Sequence, residues 1–178
     1  FVAPNLILPH IPVDNVATAL TVLGELAVEL DTEKINKIIA VTKLTGRTEY
    51  VGSQPDVIVD VGHNPQATKY LSKFIKDKGY PRIRAVVAML ADKDIRNSIL
   101  PLVEHVSQWY VASLDVNRGA RAELIAQALP LSLPSRYCFD NVVAAYQQAL
   151  SDAQPDELIL VFGSFYTVAQ LHNYLLAN

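Results

Sequence analysis

The sequence has 178 residues, of which 51% are hydrophobic and 19% charged, which is the composition of a folded globular chain. Its formal net charge of −3 gives no electrostatic basis for binding nucleic acid or an anionic membrane surface. No signal peptide is recognisable, and no apolar run reaches the roughly 18 residues that a membrane-spanning helix needs. The single cysteine, Cys138, cannot form an internal disulfide, so we expect a cytoplasmic protein. The chain begins with Phe1 instead of methionine, which indicates a segment of a longer protein.

The beginning of the chain is predicted to be helical. Apolar residues recur at helical spacing from Val13 to Leu30. Asp31 is placed to cap a second helix, whose apolar face would contain Ile35 and Ile39. We expect this helix to end at Leu44-Thr45-Gly46, because glycine commonly follows the last helical residue.

From Gly46 onward, predicted strands alternate with predicted helices five times, which is typical of a Rossmann-like α/β fold. We therefore predict a mostly parallel sheet with helices on both faces over residues 46–178, preceded by a helical segment over residues 1–45. The predicted strands cover residues 48–51, 57–61, 83–90, 109–114, 137–139 and 158–162. The predicted helices begin at Pro65, Ile95, Arg121, after Asn141 and at Ser164, and the one from Ile95 extends to Val106.

Ligands of open α/β sheets bind outside the carboxyl ends of the strands, so the residues at those ends are candidates for a site. The most informative segment is Asp60-Val61-Gly62-His63-Asn64-Pro65. Asp60 can accept hydrogen bonds from the hydroxyls of a ribose, and His63 lies beside a helix N-terminus, where anions are favoured. A plain turn in which Asp60 and Asn64 serve as caps explains the pattern equally well. We see no evident structural requirement for the Asp60 carboxylate itself.

Other strand ends and the junction near residue 46 carry weaker patterns. Ser164 can cap the last helix or help to bind a carboxylate or phosphate, and capping is the commoner role. Arg47 can reach a phosphate or form a surface ion pair. Lys93 can meet an anionic ligand or belong to a solvated turn, and Arg118 is expected to be a cation without a partner.

Several kinds of site are not indicated. The sequence contains neither the dinucleotide-binding glycine pattern nor a P-loop, so any contact with a nucleotide would supplement a site elsewhere. No histidine or cysteine pair has metal-ligand spacing, so we expect no metal ligands in this chain. Cys138 is predicted to be a small buried residue and not a nucleophile.

Four motifs in order resemble the folylpolyglutamate synthase/dihydrofolate synthase family, which is grouped with the Mur ligases. They are Leu44-Thr45-Gly46-Arg47, Asp60-Val61-Gly62-His63-Asn64-Pro65, Met89-Leu90-Ala91-Asp92-Lys93-Asp94-Ile95 and Gly163-Ser164-Phe165-Tyr166-Thr167. Asn15 is similar to a nucleotide-contacting asparagine of the family. The chain departs from the family pattern at Thr45, where proline is usual, and at Gly62, where alanine is usual.

The resemblance implies an ATP-dependent ligase that joins L-glutamate to a folate or to dihydropteroate through an acyl phosphate. It implies that residues 1–45 are the tail of an ATPase domain and that residues 46–178 are the C-terminal domain of a Mur-type ligase. Asn15, Arg47 and Asp60 would contact ATP, while His63, Ser164 and Tyr166 would lie on the glutamate side. Arg47 and His63 would also act in catalysis. Mg²⁺ would be held by the rest of the polypeptide, and a monomer is expected.

Two alternatives remain open at the level of sequence. A Mur ligase that acts on a peptidoglycan precursor would share the fold and the chemistry. A flavodoxin-like or receiver-like binding module would share only the sheet. Gly163 and Ser164 follow the last strand, where a receiver domain needs a lysine, which counts against the receiver.

Overall fold

The computed structural model describes residues 5–9, 11–29, 31–130 and 136–177. These residues form seven helices and a six-stranded sheet. The helices are α1 (Val13–Glu25), α2 (Thr32–Val41), α3 (Pro65–Lys78), α4 (Ile95–Ile99), α5 (Ala122–Ala128), α6 (Val142–Asp152) and α7 (Phe165–Ala177). The strands are β1 (Glu49–Gly52), β2 (Asp56–Asp60), β3 (Ile83–Val87), β4 (Gln108–Ala112), β5 (Arg136–Phe139) and β6 (Leu158–Phe162).

The chain divides into two compact units, Phe1–Thr48 and Glu49–Asn178. The first unit contains α1 and α2. Helix α2 begins where predicted, because Asp31 Oδ1 accepts a hydrogen bond of 2.7 Å from the Lys34 amide, and it buries Ile35 and Ile39. That the first 45 residues are the tail of an ATPase domain stays a prediction.

Both helices of the first unit are shorter than predicted. Helix α1 ends at Glu25, and Ala27 has a φ of +53°, which no α-helix tolerates. The predicted end at Leu30 lies outside the described residues. Helix α2 ends at Val41, and Gly46 instead forms a separate turn in which the Arg47 amide donates to the Leu44 carbonyl oxygen.

The second unit is the predicted Rossmann-like domain. The strand order is β1-β2-β6-β3-β4-β5, and all neighbours are parallel except β1, which is antiparallel to β2. Helices α3, α4 and α5 pack on one face of the sheet, while α6 and α7 pack on the other. Strands β2, β3 and β6 are apolar and largely buried because helices cover both of their faces.

Three helices of this unit are capped by the side chain of the residue that precedes them. The side chains of Asn64, Asp94 and Asn141 each accept a hydrogen bond from the amide three residues later. The single helix predicted over residues 95–106 is wrong. Helix α4 ends at Ile99 and a short 3-10 turn follows, because Pro101 lacks the N–H that a continuing α-helix requires.

Cys138 is exposed, so the prediction that it is buried is wrong. The reason lies in the position of β5. Among the described strands it pairs only with β4 and forms one edge of the sheet. The sequence identified a strand here but did not place it at an edge. None of the described helices is both long enough and apolar enough to cross a membrane.

Candidate functional site

The carboxyl ends of β2 and β6 are neighbours, and the connections that follow them go to opposite faces of the sheet. Strand β2 leads into α3, whereas β6 leads into α7 on the other face. Such a divergence marks the place where α/β proteins commonly form a ligand-binding crevice. The Gly163 amide donates to the Asp60 carbonyl oxygen at 3.3 Å, so the two connections begin side by side. Asp60, His63, Ser164 and Tyr166 all lie at this edge.

Asp60 ends β2 and is only 5% exposed. Its Oδ1 accepts a hydrogen bond of 2.6 Å from the Gly62 amide, so the carboxylate shapes the turn that follows the strand. The expectation that Asp60 has no structural requirement is therefore wrong. A Cβ at position 62 would lie 2.8 Å from that oxygen, so a larger residue there would require the carboxylate to shift. The pKa of Tyr70 in α3 is raised, mainly by the burial of its own ring and to a lesser extent by the negative charge of Asp60. The Asp60 carboxylate therefore lies near α3.

His63 is partly buried, and its Nδ1 lies 2.8 Å from the Val61 carbonyl oxygen. A carbonyl oxygen can only accept, so Nδ1 carries a proton and the lone pair of the neutral ring is on Nε2. The next residue, Asn64, is occupied as the cap of α3: its Oδ1 accepts from the Ala67 amide at 2.9 Å. Local structure thus accounts for Asp60 and Asn64, while His63 remains available for chemistry through Nε2.

Gly163 connects β6 to α7 with a φ of +123°, which L side chains rarely adopt. A Cβ there would lie 2.4 Å from the Ala88 carbonyl oxygen. The absence of a side chain therefore lets the β6–α7 connection lie against the chain that leaves β3. This close approach positions Ser164 at the carboxyl end of β6.

Ser164 caps α7 by accepting a hydrogen bond of 3.0 Å from the Thr167 amide. The Thr167 hydroxyl donates to the Ala88 carbonyl oxygen at 2.7 Å and lies 2.7 Å from Ser164 Oγ. The capping prediction is confirmed. The role of Thr167 was missed from sequence, although a hydroxyl residue three positions after an N-cap is a detectable signal. Phe165 and Tyr166, at the start of α7, are 63% and 47% exposed, so their rings are accessible at this edge.

The loops after β3 and β4 are tied to each other. The Ala91 amide donates to the Arg118 carbonyl oxygen at 2.8 Å, and the Arg118 guanidinium pairs with Asp92 at 2.8 Å. The expectation that Arg118 is a cation without a partner is wrong. Lys93 lies 3.9 Å from the same carboxylate, so Asp92 partly balances both cations.

Asn15 and Arg47 lie in the first unit. Asn15 is exposed in the first turn of α1, and Arg47 is partly buried at the turn that begins at Leu44. Among the described residues, no group of three or more His, Cys, Asp or Glu side chains could hold a metal ion.

The geometry defines an α/β domain whose candidate ligand-binding residues lie where two neighbouring parallel strands end. Residues 46–165 match the family model described as Mur ligase, glutamate ligase domain. The chain belongs to this family, and the predicted resemblance is confirmed.

Several relatives of the chain are folate enzymes. The dihydrofolate synthase/folylpolyglutamate synthase of Escherichia coli (strain K12) is 40% identical over 170 residues, which are 94% of this chain and 39% of the relative. The structure of bifunctional folylpolyglutamate synthase/dihydrofolate synthase from Yersinia pestis with AMPPNP and Mn ion is 39% identical, with a TM-score of 0.88 over 97% of this chain and 41% of that one. A structure of an enzyme of the same name with Mn, AMPPNP and L-glutamate gives a TM-score of 0.89 at 39% identity, over 96% of this chain and 41% of that one. The chain thus spans about two fifths of the relatives that it matches.

Proposed function

We propose that this chain is the C-terminal part of an ATP-dependent ligase that joins L-glutamate to a folate, with dihydropteroate as a second acceptor. The observation that carries the proposal is the grouping of Asp60, His63 and Ser164 where the β2 and β6 connections diverge. The similarity to folate ligases crystallised with AMPPNP and L-glutamate supports it. It also favours a folate over a peptidoglycan precursor as the acceptor. ATP would transfer its terminal phosphoryl group to the folate carboxylate, which releases ADP and gives an acyl phosphate. The glutamate amine would attack this acyl phosphate, form the amide and release phosphate.

The residues fall into two groups by position. Asp60, at the end of β2, suits the hydroxyls of a ribose, although one of its oxygens also holds the Gly62 amide. Arg47 and Asn15 would contact ATP from the first unit, and the guanidinium can pair with phosphate oxygens through two hydrogen bonds. Charge stabilisation and positioning dominate phosphoryl transfer, so Arg47 would act chiefly on the transition state.

His63, Ser164 and Tyr166 would receive the glutamate. His63 presents Nε2 from the β2–α3 connection, and Ser164 and Tyr166 come from the start of α7. The exposed phenol of Tyr166 can contact a substrate that enters the crevice. Mg²⁺ would be held elsewhere in the polypeptide.

We further propose that residues 1–45 are the tail of an ATPase domain, the rest of which covers α1 in the complete, cytoplasmic and monomeric enzyme. Helix α1 supports this because it buries none of its residues, and Val13 and Val22 are 58% and 52% exposed. Apolar surface of this kind is normally covered by further protein. The two-fifths coverage of the relatives leaves room for such a domain.

Steady-state kinetics on the full-length enzyme test whether glutamate binds beside Ser164. Ser164→Ala is expected to raise the KM for glutamate more than the KM for ATP. Ser151→Ala, on the exposed side of α6, is the matched control and should change neither. An effect of Ser164→Ala confined to ATP would reject the placement of glutamate.

Two activity measurements test the wider proposal. Full-length enzyme should ligate L-glutamate to a folate; ligation of an amino acid to a peptidoglycan precursor instead would replace the folate assignment. The 178-residue chain alone should have no ligase activity, because it contains no P-loop. Measurable ATP-dependent ligation by this chain would contradict the proposal that another part of the polypeptide binds the phosphates of ATP.

A further inference from the structure

Helix α3 carries a line of lysines on its exposed side. Lys69, Lys73 and Lys76 follow one another at intervals of four and three residues, so they lie on the same face of the helix. All three side chains are exposed, whereas Leu71 and Ile75 on the other side of the helix are buried. We refer to Lys69, Lys73 and Lys76 as the lysine stripe.

The lysine stripe is a local excess of positive charge in an acidic chain. Helix α3 contains four lysines and one acid, Asp77, and therefore has a net charge of +3. The whole chain has a net charge of −3, so the residues outside α3 together carry −6. Among the described residues, no acidic side chain forms an ion pair with the stripe. Lys37 on α2, by contrast, pairs with Glu33 at 2.7 Å.

The stability of α3 does not account for the whole stripe. Lys76 lies in the last turn, where a cation interacts favourably with the helix dipole, but Lys69 and Lys73 lie nearer the start of the helix. Like charges four residues apart repel each other and weaken a helix. The fourth lysine, Lys78, has a packing role, because its Nζ lies 5.1 Å from the centre of the Phe74 ring. Lys69 and Lys73 have neither kind of support, and a ligand with carboxylates would offset their repulsion.

The stripe begins close to the candidate site. Helix α3 starts directly after His63 and Asn64, at the sheet edge where the proposed function places the incoming glutamate. Lys69 lies in the second turn of this helix, and Lys73 and Lys76 lie about 6 Å and about 10 Å further along its axis. A chain of carboxylates that leaves this edge along α3 would meet the three cations one after another.

We propose that the lysine stripe binds the polyglutamate tail of a folate acceptor that already carries several glutamates. This inference rests on the proposed function, in which the enzyme adds L-glutamate to a folate. Each glutamate in such a tail keeps one free carboxylate. An extended chain advances by about 3.5 Å for each residue linked through its α-carboxyl group, and further for a residue linked through its side chain. The carboxylates therefore recur at distances similar to the lysine spacing, and flexible exposed lysines suit a tail of variable length.

The test is steady-state kinetics of the full-length enzyme with folate monoglutamate and folate tetraglutamate as acceptors. One variant combines Lys69→Gln, Lys73→Gln and Lys76→Gln, and the matched control has arginine at the same three positions. Both replacements are good helix formers, so α3 should persist in both proteins. The glutamine variant should raise the KM for the tetraglutamate roughly fivefold or more at low ionic strength, because three exposed ion pairs are lost. Its KM values for the monoglutamate, ATP and L-glutamate should not change.

The arginine control keeps the charges and should keep the parent KM for the tetraglutamate. Added salt should reduce the difference between the two variants, because exposed ion pairs are screened. An equal rise in KM for both acceptors, or a raised KM for ATP, would show a general attraction of anions and overturn the inference. An arginine control that behaves like the glutamine variant would overturn it as well, because charge would then not be the cause.

Unchanged kinetic constants in the glutamine variant would assign the stripe to another partner, such as an acidic protein, and would also overturn the inference. These three results reject only the binding of the tail, provided that the parent enzyme adds L-glutamate to the folate acceptors. A parent enzyme that adds L-glutamate to neither acceptor would reject the proposed function itself, and the inference with it.

Discussion

The Gly62 amide donates a hydrogen bond of 2.6 Å to Asp60 Oδ1, so the carboxylate that ends β2 also holds the turn that leads to His63. Both residues are buried, and the amide would have no such acceptor without the side chain. A nucleotide role for Asp60 therefore has to be separated from a structural one. An asparagine side chain can replace the carboxylate in the structural role, because it keeps an acceptor oxygen, but it does not replace the charge.

Asp60→Ala should lower the free energy of unfolding by about 1–2 kcal/mol, because it removes the acceptor of a buried amide. It should also raise the KM for ATP. Asp60→Asn keeps a carbonyl oxygen for the Gly62 amide and should retain most of the stability, while it still raises the KM for ATP. Denaturant unfolding of this chain and kinetics of the full-length enzyme measure the two effects. A normal KM for ATP in Asp60→Asn would remove the carboxylate from the nucleotide site.

Arg47→Ala in the full-length enzyme should lower kcat on the order of 10²-fold or more, if the guanidinium stabilises phosphate charge in the transition state. Arg47→Lys should recover only part of that loss, because an ammonium cannot form two parallel hydrogen bonds. Arg121→Ala, an exposed residue just before α5, is the control. Near-normal kcat in Arg47→Ala would assign Arg47 to structure alone.

Gly163→Ala should destabilise the second unit by at least about 2 kcal/mol, because the new methyl group combines a disfavoured φ with a clash against Ala88. Gly79→Ala is the matched comparison. Gly79 also has a positive φ, of +70°, but a Cβ there meets nothing within 4 Å, so we expect a loss of only about 1 kcal/mol. Urea unfolding of both variants gives the difference, and equal losses would show that the close approach to Ala88 contributes nothing.

Tyr110 gives the stability of the domain a dependence on alkaline pH. Burial, followed by the hydrogen bond to Asp152, raises the pKa of Tyr110 to about 12, while Arg84 opposes the shift. Because this pKa is raised, the stabilising contribution of the Tyr110 hydroxyl is fully present below the ordinary tyrosine pKa of about 10. It is lost as the pH rises toward 12. Tyr110→Phe should cost about 1–2 kcal/mol at pH 8, because it leaves Arg84 and Asp152 without the phenol between them.

The difference in stability between parent and Tyr110→Phe should then narrow between pH 10 and about 12, since only the parent loses this contribution. Thermal melts across that range measure the gap. Other tyrosines with raised pKa values, such as Tyr146, titrate in both proteins and cancel in the comparison. A gap that stays constant with pH would contradict the coupling of Tyr110 to its neighbours.

Cys138 should react with a thiol reagent in the folded protein, because β5 exposes it at the edge of the sheet. As the chain has one cysteine, the modification is read directly from the mass of the intact protein. We expect complete labelling without denaturant and none in Cys138→Ser. Labelling that requires unfolding would place this side chain in the interior.

Local chemistry in the sequence determined much of the second unit. The alternation of β-branched runs with amphipathic segments predicted the parallel sheet, and Asn64, Asp94 and Asn141 marked where helices begin. These signals act within a few residues, through side-chain period and capping hydrogen bonds, so they can be recognised without the fold. The strand ends that carry Asp60, His63 and Ser164 were recognisable for the same reason.

Only the tertiary structure decided which strands are neighbours. The last strand, β6, inserts between β2 and β3, and this places the chain around Gly163 beside Asp60 although about a hundred residues separate them. The same insertion brings Thr167 to the Ala88 carbonyl oxygen and leaves Cys138 on an edge strand. Contacts between distant segments depend on strand order and packing, and no local pattern in the sequence encodes either one.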